Sequence, residues 1–197
     1  LIDTDKRYIG EKGGDDMKKC LIVVDYQNDF VTGSLGFSAA VQLEERIVQK
    51  IQDCRERGED ILFTLDTHGE NYLHTSEGKN LPIPHCIAGT DGHKLYGAVG
   101  ENRRESDFVF PKGTFGSDAL YAHLKGTAYT SIELVGVVTN ICVLANAVLA
   151  KTARPEAEII VDASCVASGD PALHQAALSV MESMQIQIIN KDGVCHG

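Results

Sequence analysis

Apolar residues along this chain recur in two alternating rhythms. The stretches "CLIVVD" (20–25), "DILFTLD" (60–66), "DFVFPK" (107–112), "SIELVGV" (131–137), "EIIVDA" (158–163) and "IQIIN" (186–190) are short, nearly continuous runs rich in β-branched residues. That is the pattern of strands covered on both faces. Between them the spacing shifts to the three-and-four rhythm of helices. Leu43, Ile47, Val48, Ile51 and Cys54 make one such face, with Gly58 placed to stop it. A later helix is predicted from Asp170 as N-cap and Pro171 as first helical residue, with Leu173, Ala176, Ala177, Val180, Met181 and Met184 on its buried face. Strands that alternate with helices predict an α/β fold, a three-layer α/β/α sandwich around a doubly wound, six-stranded, mainly parallel sheet.

The same patterning sets the domain organisation. Residues 1–16, "LIDTDKRYIGEKGGDD", mix charges with glycines and lack apolar periodicity. They are expected to form a leader outside the fold, disordered or left from expression, ahead of a single domain over residues 17–197. Residues 67–105 are rich in Gly, Asn, His and Pro and only weakly periodic, an excursion of the length that compact domains usually reserve for function.

Composition narrows the function classes. A chain of 197 residues supports one well-buried core. Its net charge of -10 disfavours binding to phosphate backbones, so a nucleic-acid role is not expected. No apolar run reaches the roughly 18 residues a membrane span needs, and cytoplasm is the expected location. Cys20, Cys54, Cys86, Cys142, Cys165 and Cys195 are widely spread and form no CxxC pair, which points to reduced thiols rather than a disulfide frame or structural zinc site. Helices on both faces of the sheet are compatible with a homo-oligomer.

Ligands of open α/β sheets sit beyond the carboxyl ends of strands, so the polar residues there carry the chemistry. Asp25 ends the first run, Asp66 the second and Lys112 the third, and Cys142 follows the fourth in "GVVTNICV". With Thr139 or Asn140 as helix cap, the Cys142 thiol would lie in a first turn, where free N–H groups lower its pKa and can hold an oxyanion. Asp25 could then take the thiol proton and return it to a leaving amine, while Lys112 holds both anions. Singly, each residue has a plainer reading: a small buried thiol, a turn-capping carboxylate, a solvated loop cation. In "DTHGENYLHTSEGKNLPIPHC", Asp66, His68 and His85 suit zinc, manganese or iron(II), and His74 and Glu77 are candidates for a further ligand. Loop histidines without a ligand role are the alternative there, and His93, His123, His174 and His196 read as surface or internally satisfied.

"IVVDYQNDF", "DTH", "LPIPHCIAGTDG", "PKGTFGS" and "GVVTNICV" together resemble the isochorismatase-like cysteine hydrolases, and within them the nicotinamidases. The resemblance implies a catalytic triad of Asp25, Lys112 and Cys142. It also implies a cis peptide between Val137 and Val138, and an oxyanion hole from the N–H groups of Val138 and Cys142. Asp66, His68 and His85 resemble the nicotinamidase metal ligands, "HTSEGK" resembles the version in which Glu77 rather than His74 completes the set, and Phe30 and Phe115 resemble aromatic positions that pack the substrate ring. Pro82 stands where many nicotinamidases have a tryptophan, so the ring pocket is expected to be built differently. The implied activity is hydrolysis of a small-molecule amide, nicotinamide first, through a thioester on Cys142, with one divalent metal, zinc ahead of manganese or iron. The alternatives are a related cysteine hydrolase acting on another small amide, ureide or carbamate, and a non-catalytic metal-binding or redox-sensing module.

Overall fold

A computed structural model of the chain describes residues 18–191. The leader expected over 1–16, and Cys195 and His196, lie outside the described residues. Six strands, β1 (Lys19–Val24), β2 (Asp60–Asp66), β3 (Phe108–Lys112), β4 (Ser131–Val137), β5 (Glu158–Ala167) and β6 (Gln187–Ile189), form one sheet in the order β3-β2-β1-β4-β5-β6. Every strand ladder among the described residues is parallel. From β1 the chain winds outward through β2 to β3, and from β4 it winds the other way through β5 to β6. The direction of winding therefore reverses between β1 and β4, where a parallel sheet opens a crevice at its carboxyl edge.

Alternation along the strands builds the two outer layers. In β1, Ile22 and Val24 face one core with Leu120, Leu124, Val143, Ala147, Leu178 and Met181. Leu21 and Val23 face the other with Ile47, Ile51, Phe63 and Val135. Both faces are dry, which is why these strands read as unbroken apolar runs. The first core is roofed by α6 (Asp118–Lys125), α7 (Leu144–Ala153) and α8 (Pro171–Ser183). The second is roofed by α3 (Glu44–Glu56), with the short helices α1 (Asn28–Val31) and α2 (Ser38–Val41) ahead of it. Ile47 and Ile51 of α3 are fully buried, each worth about 1.5–3 kcal/mol of transfer free energy. The helix stops as its sequence implies, with Gly58 at φ +71° just past the cap. No helix among the described residues is long and apolar enough to cross a membrane.

Two elements differ from expectation. β5 runs to Ala167 rather than Ala163, because a bulge lets it continue: Leu134 pairs with Val161, but Gly136 pairs with Val166. Asp162 makes the bulge by accepting hydrogen bonds from Ser164 N (2.9 Å) and Ser164 Oγ (2.7 Å), a local turn inside a strand. In α8 the cap is as expected, Asp170 accepting from Ala172 N and Leu173 N. Its buried face, however, is His174, Ala177, Leu178 and Met181, while Leu173 and Val180 stand 50% and 49% exposed and Ala176 is exposed too. The helical spacing was there, but a histidine fills its first position, and His174 is buried because it bonds Thr139 Oγ1 through Nδ1 at 2.9 Å.

The excursion after β2 is compact. It holds a 3-10 turn (Tyr72–His74), α4 (Ser76–Asn80) and α5 (Gly97–Glu101) before the chain re-enters at β3.

Candidate active site

Four adjacent strands each deliver one polar side chain to the carboxyl edge, and in sheet order these are Lys112, Asp66, Asp25 and Cys142. Asp66 and Lys112 are register partners in the β2–β3 ladder, so their side chains leave the same face as neighbours. Asp25 follows β1 with φ +45°, a backbone setting that L-residues seldom adopt outside functional turns. Thr64 of β2 fixes it there: Asp25 N donates to Thr64 Oγ1 (3.2 Å), and Thr64 Oγ1 donates to Asp25 Oδ1 (2.7 Å). Cys142 lies in a π-helical turn, Thr139–Val143, that leads from β4 into α7.

Lys112 gathers these groups. Its Nζ lies 2.7 Å from Asp25 Oδ2, 3.2 Å from Asp66 Oδ1 and 3.5 Å from Cys142 Sγ, and it donates to Thr114 O at 2.9 Å. Burial works to lower its pKa, but the carboxylates of Asp25 and Asp66 overcome that and hold the ammonium charged above its ordinary range. Asp25 is fully buried, which raises its carboxyl pKa against the opposing pull of Lys112. Asp25 Oδ2 is the oxygen that faces the Lys112 ammonium, while Oδ1 is taken by Thr64.

The thiol differs from its sequence expectation. Neither Thr139 nor Asn140 caps the helix. Val138 occupies the N-cap with no side-chain bond, Thr139 Oγ1 is engaged by His174, and Asn140 Oδ1 accepts from Ser168 Oγ at 2.7 Å. Cys142 is 6% exposed, and burial, followed by the Asp25 carboxylate, pushes its pKa well up rather than down. A helix end contributes about 0.3–1 kcal/mol, too little against desolvation of a buried sulfur anion. The resting thiol keeps its proton. Passing it to Asp25 moves negative charge from one neighbour of the Lys112 ammonium to another, so no charge is created or exposed by the transfer.

A second cluster shares Asp66. One ligand atom from each of Asp66, His68, Glu77 and His85 falls within 4.8 Å of the others. Asp66 Oδ2 lies 2.9 Å from His68 Nε2 and 3.3 Å from His85 Nε2, and Glu77 Oε1 lies 3.8 and 3.6 Å from the same two nitrogens. His85 Nδ1 is 2.9 Å from Ile83 O, which can only accept. With Nδ1 donating there, the neutral ring that a cation would bind presents its Nε2 lone pair inward, the arrangement of a metal-ligating imidazole. Burial acts to raise the Asp66 pKa, but the hydrogen bond with His85 and the Lys112 ammonium keep it low. Two carboxylates and two imidazoles fit a borderline divalent cation such as zinc. His74, the rival of Glu77, is exposed on its 3-10 turn and outside the cluster.

Between sulfur and ligand cluster lies a cavity of about 280 Å³ whose walls include Phe30, Leu35, Phe37, Phe115, Val138 and Ile141, with Asp66, Glu77, His85 and Cys142 around it. Phe30 is buried with its ring 5.4 Å from that of His85, whereas Phe115 is 48% exposed. Leu81, next to Pro82 in sequence, also lines the cavity and adds to its aliphatic wall. The Val137–Val138 peptide is cis, and Val138 borders the cavity beside Cys142.

The isochorismatase domain family model matches residues 19–192. The chain belongs to the isochorismatase family. Three solved members of similar size align over most of both chains. A nicotinamidase from Bacillus subtilis is 32% identical, with 87% of this chain and 98% of that one covered and a TM-score of 0.75. A pyrazinamidase/nicotinamidase from Streptococcus mutans is 33% identical, with 87% and 100% covered and a TM-score of 0.78. A pyrazinamidase from Pyrococcus horikoshii, solved in complex with zinc, is 26% identical, with 87% and 98% covered and a TM-score of 0.77.

Within this isochorismatase frame several side chains that pattern reading passed over support the site. Gln27 clamps the backbone of Asp66, accepting from Asp66 N at 2.7 Å and donating to Asp66 O at 2.9 Å and to His93 O at 2.8 Å. A buried glutamine inside "DYQNDF" was the available signal, since an amide there must find partners. Thr64 looked like one more β-branched strand residue. Gly136, at φ +112°, brings β4 so close to β1 that a Cβ would sit 2.1 Å from Val24 O, and no local pattern marks it.

Proposed function

We propose that the chain is a metal-dependent cysteine amidohydrolase whose substrate is nicotinamide, converted with water to nicotinic acid and ammonia. The observation that carries this reading is the reach of one ammonium, Lys112 Nζ, to Asp25, Asp66 and Cys142 at the end of an apolar cavity. The similarity to nicotinamidases supports the choice of amide. A thiol buried and raised in pKa is unlike a redox sensor, which needs an exposed, low-pKa sulfur.

The ring of the substrate fits between Phe30, Phe115 and the aliphatic wall, with its carboxamide at Cys142. A divalent cation held by Asp66, His68, Glu77 and His85 would supply a Lewis-acid partner for the ring nitrogen, and so orientation. Asp25 takes the Cys142 proton, and the sulfur attacks the carboxamide carbon while Lys112 balances the charge on both. The N–H groups of Val138 and Cys142 receive the oxyanion. Collapse of that adduct breaks the C–N bond, Asp25 returns its proton to the nitrogen, and ammonia leaves a thioester. Asp25 then deprotonates a water that attacks the thioester carbon, and the proton passes back to sulfur as the acid departs.

Ammonia release from nicotinamide by the purified, metal-replete chain tests the reading, with a panel of other small amides, ureides and carbamates alongside. Cys142→Ala should lose activity by about 10⁴-fold or more while retaining metal. Equal release by parent and Cys142→Ala rejects the sulfur as nucleophile, and activity confined to another compound on the panel replaces nicotinamide as substrate.

A further inference from the structure

Asn146 is the third residue of α7, four residues after Cys142, and is fully buried. Both ends of its amide are in use. Nδ2 donates to Cys142 O at 2.8 Å and to Phe115 O at 3.1 Å, and Oδ1 accepts from Ser117 N at 3.0 Å. Two carbonyls on one side and an N–H on the other permit only this orientation of the amide. Asparagine is a poor residue for a helix interior, and here its side chain reaches out of the helix into the loop that follows β3.

That loop, residues 113–117, carries Phe115 on the cavity wall. It is held at one end by Lys112, whose ammonium donates to Thr114 O, and at the other by Asn146. In between it lies directly on α7, since a Cβ on Gly116 would meet Leu149 Cδ1 at 2.8 Å. The residues joined through the amide are thus the aromatic wall of the cavity and the backbone of the sulfur-bearing turn.

We propose that Asn146 is a positioning residue that locks the 113–117 loop to the Cys142 turn, so that Phe115 and the sulfur keep a fixed spacing and the substrate ring is delivered at one distance from the thiol. This rests on the amidohydrolase reading for its kinetic consequence, but the tether itself is a property of the fold.

The test uses Asn146→Ala and Asn146→Asp in the full, metal-replete chain. In Asn146→Ala, backbone hydrogen exchange over 113–117 should accelerate about tenfold or more while α3, on the opposite face of the sheet, keeps the parent rates. The same variant should raise KM for nicotinamide about tenfold with a smaller fall in kcat, because the wall is displaced more than the thiol. Asn146→Asp keeps the acceptor for Ser117 N–H and, while its buried carboxyl is protonated, one donor. Ionisation would turn an acceptor toward two carbonyls, so its KM relative to the parent should climb as pH rises. Exchange over 113–117 at the parent rate, or acceleration spread evenly through α3 and the rest of the chain in step with a lower Tm, overturns the tether. If the parent itself releases no ammonia, the functional reading fails on its own, and the exchange pattern still decides the role of Asn146.

Discussion

Asp66 and Lys112, partners across the β2–β3 ladder, join the two halves of the site: Lys112 Nζ lies 3.2 Å from Asp66 Oδ1, while Asp66 Oδ2 faces His68 and His85. One carboxylate therefore serves the ligand cluster with one oxygen and the ammonium beside the sulfur with the other. Asp66→Asn should weaken metal retention by about 10-fold to 100-fold. It should also lower kcat when metal is restored in excess, because Lys112 loses one of the charges that hold it. Elemental analysis of the dialysed protein and turnover at saturating metal check both parts, and a variant fully active once metal is resupplied would confine Asp66 to the ligand role.

Thr64 donates to Asp25 Oδ1 and so favours the ionised carboxylate, one of the influences that oppose the upward push of burial on Asp25. Asp25 has to be ionised to accept the thiol proton. Thr64→Val keeps the shape and removes the donor, so the Asp25 pKa rises further and the acid limb of kcat/KM moves to higher pH. Activity should be lost first at the acidic end and persist on the alkaline side. A pH profile of ammonia release, parent against variant, reads this directly, and an unmoved acid limb would exclude Asp25 as its origin.

Acid stability should depend on Asp162, which sits in the β5 bulge with no exposed side-chain surface, 2.7 Å from Lys50 Nζ. Burial acts to raise its pKa, but Lys50 and Ser164 more than offset this and leave it depressed. A depressed carboxyl contributes stability that is complete above its unfolded pKa and is lost as pH falls through the folded value. Asp162→Ala should cost about 1–3 kcal/mol at neutral pH, by removing the bonds of Ser164 and one of the two carboxylates paired with Lys50. It should also flatten the decline in stability between pH 5 and the acid range, about where carboxyls titrate. Urea unfolding at several pH values measures both effects.

Gly136 pairs with Val24 where the two halves of the sheet meet, and no Cβ fits there. Gly136→Ala sets a Cβ against Val24 O and asks an L-residue to hold φ +112°, so a loss of about 3 kcal/mol or more is expected. Val24 immediately precedes Asp25, and the surviving folded fraction should have a lower kcat than the parent. Denaturation midpoint and turnover per folded molecule check the two effects separately.

The sheet was legible because burial on both faces leaves unbroken apolar runs, and the polar residues at their ends marked the rim. Asp25, Lys112 and Cys142 stood out as reactive groups where strands stop. What pattern could not show were matters of three-dimensional environment. The start of a helix argued for an acidic thiol, yet the turn around Cys142 is so enclosed that desolvation outweighs the helix end. His174 broke an otherwise regular apolar face and so shifted the reading of α8 by one residue. Asp162 looked like the end of β5 because a carboxylate that bonds its own backbone resembles a turn, and here that turn is a bulge. Apart from the bond of Asn146 to Cys142 O, Gln27, Thr64 and Asn146 act through partners 29 or more residues away in sequence, at the closest Ser117 for Asn146, and no local spacing encodes such pairs.

Because winding reverses between β1 and β4, Asp25 and Cys142, the proposed reacting pair, come from touching strands that the chain separates by its whole β2–β3 half. A fragment ending before β4 would own the carboxylate, the ammonium and all four side chains of the cluster, yet not the proposed nucleophile. One beginning after β3 would own the sulfur alone. Split at that seam, neither piece should turn over substrate, and any activity recovered on mixing them would measure the knitting of Val24 to Gly136 down the middle of the sheet.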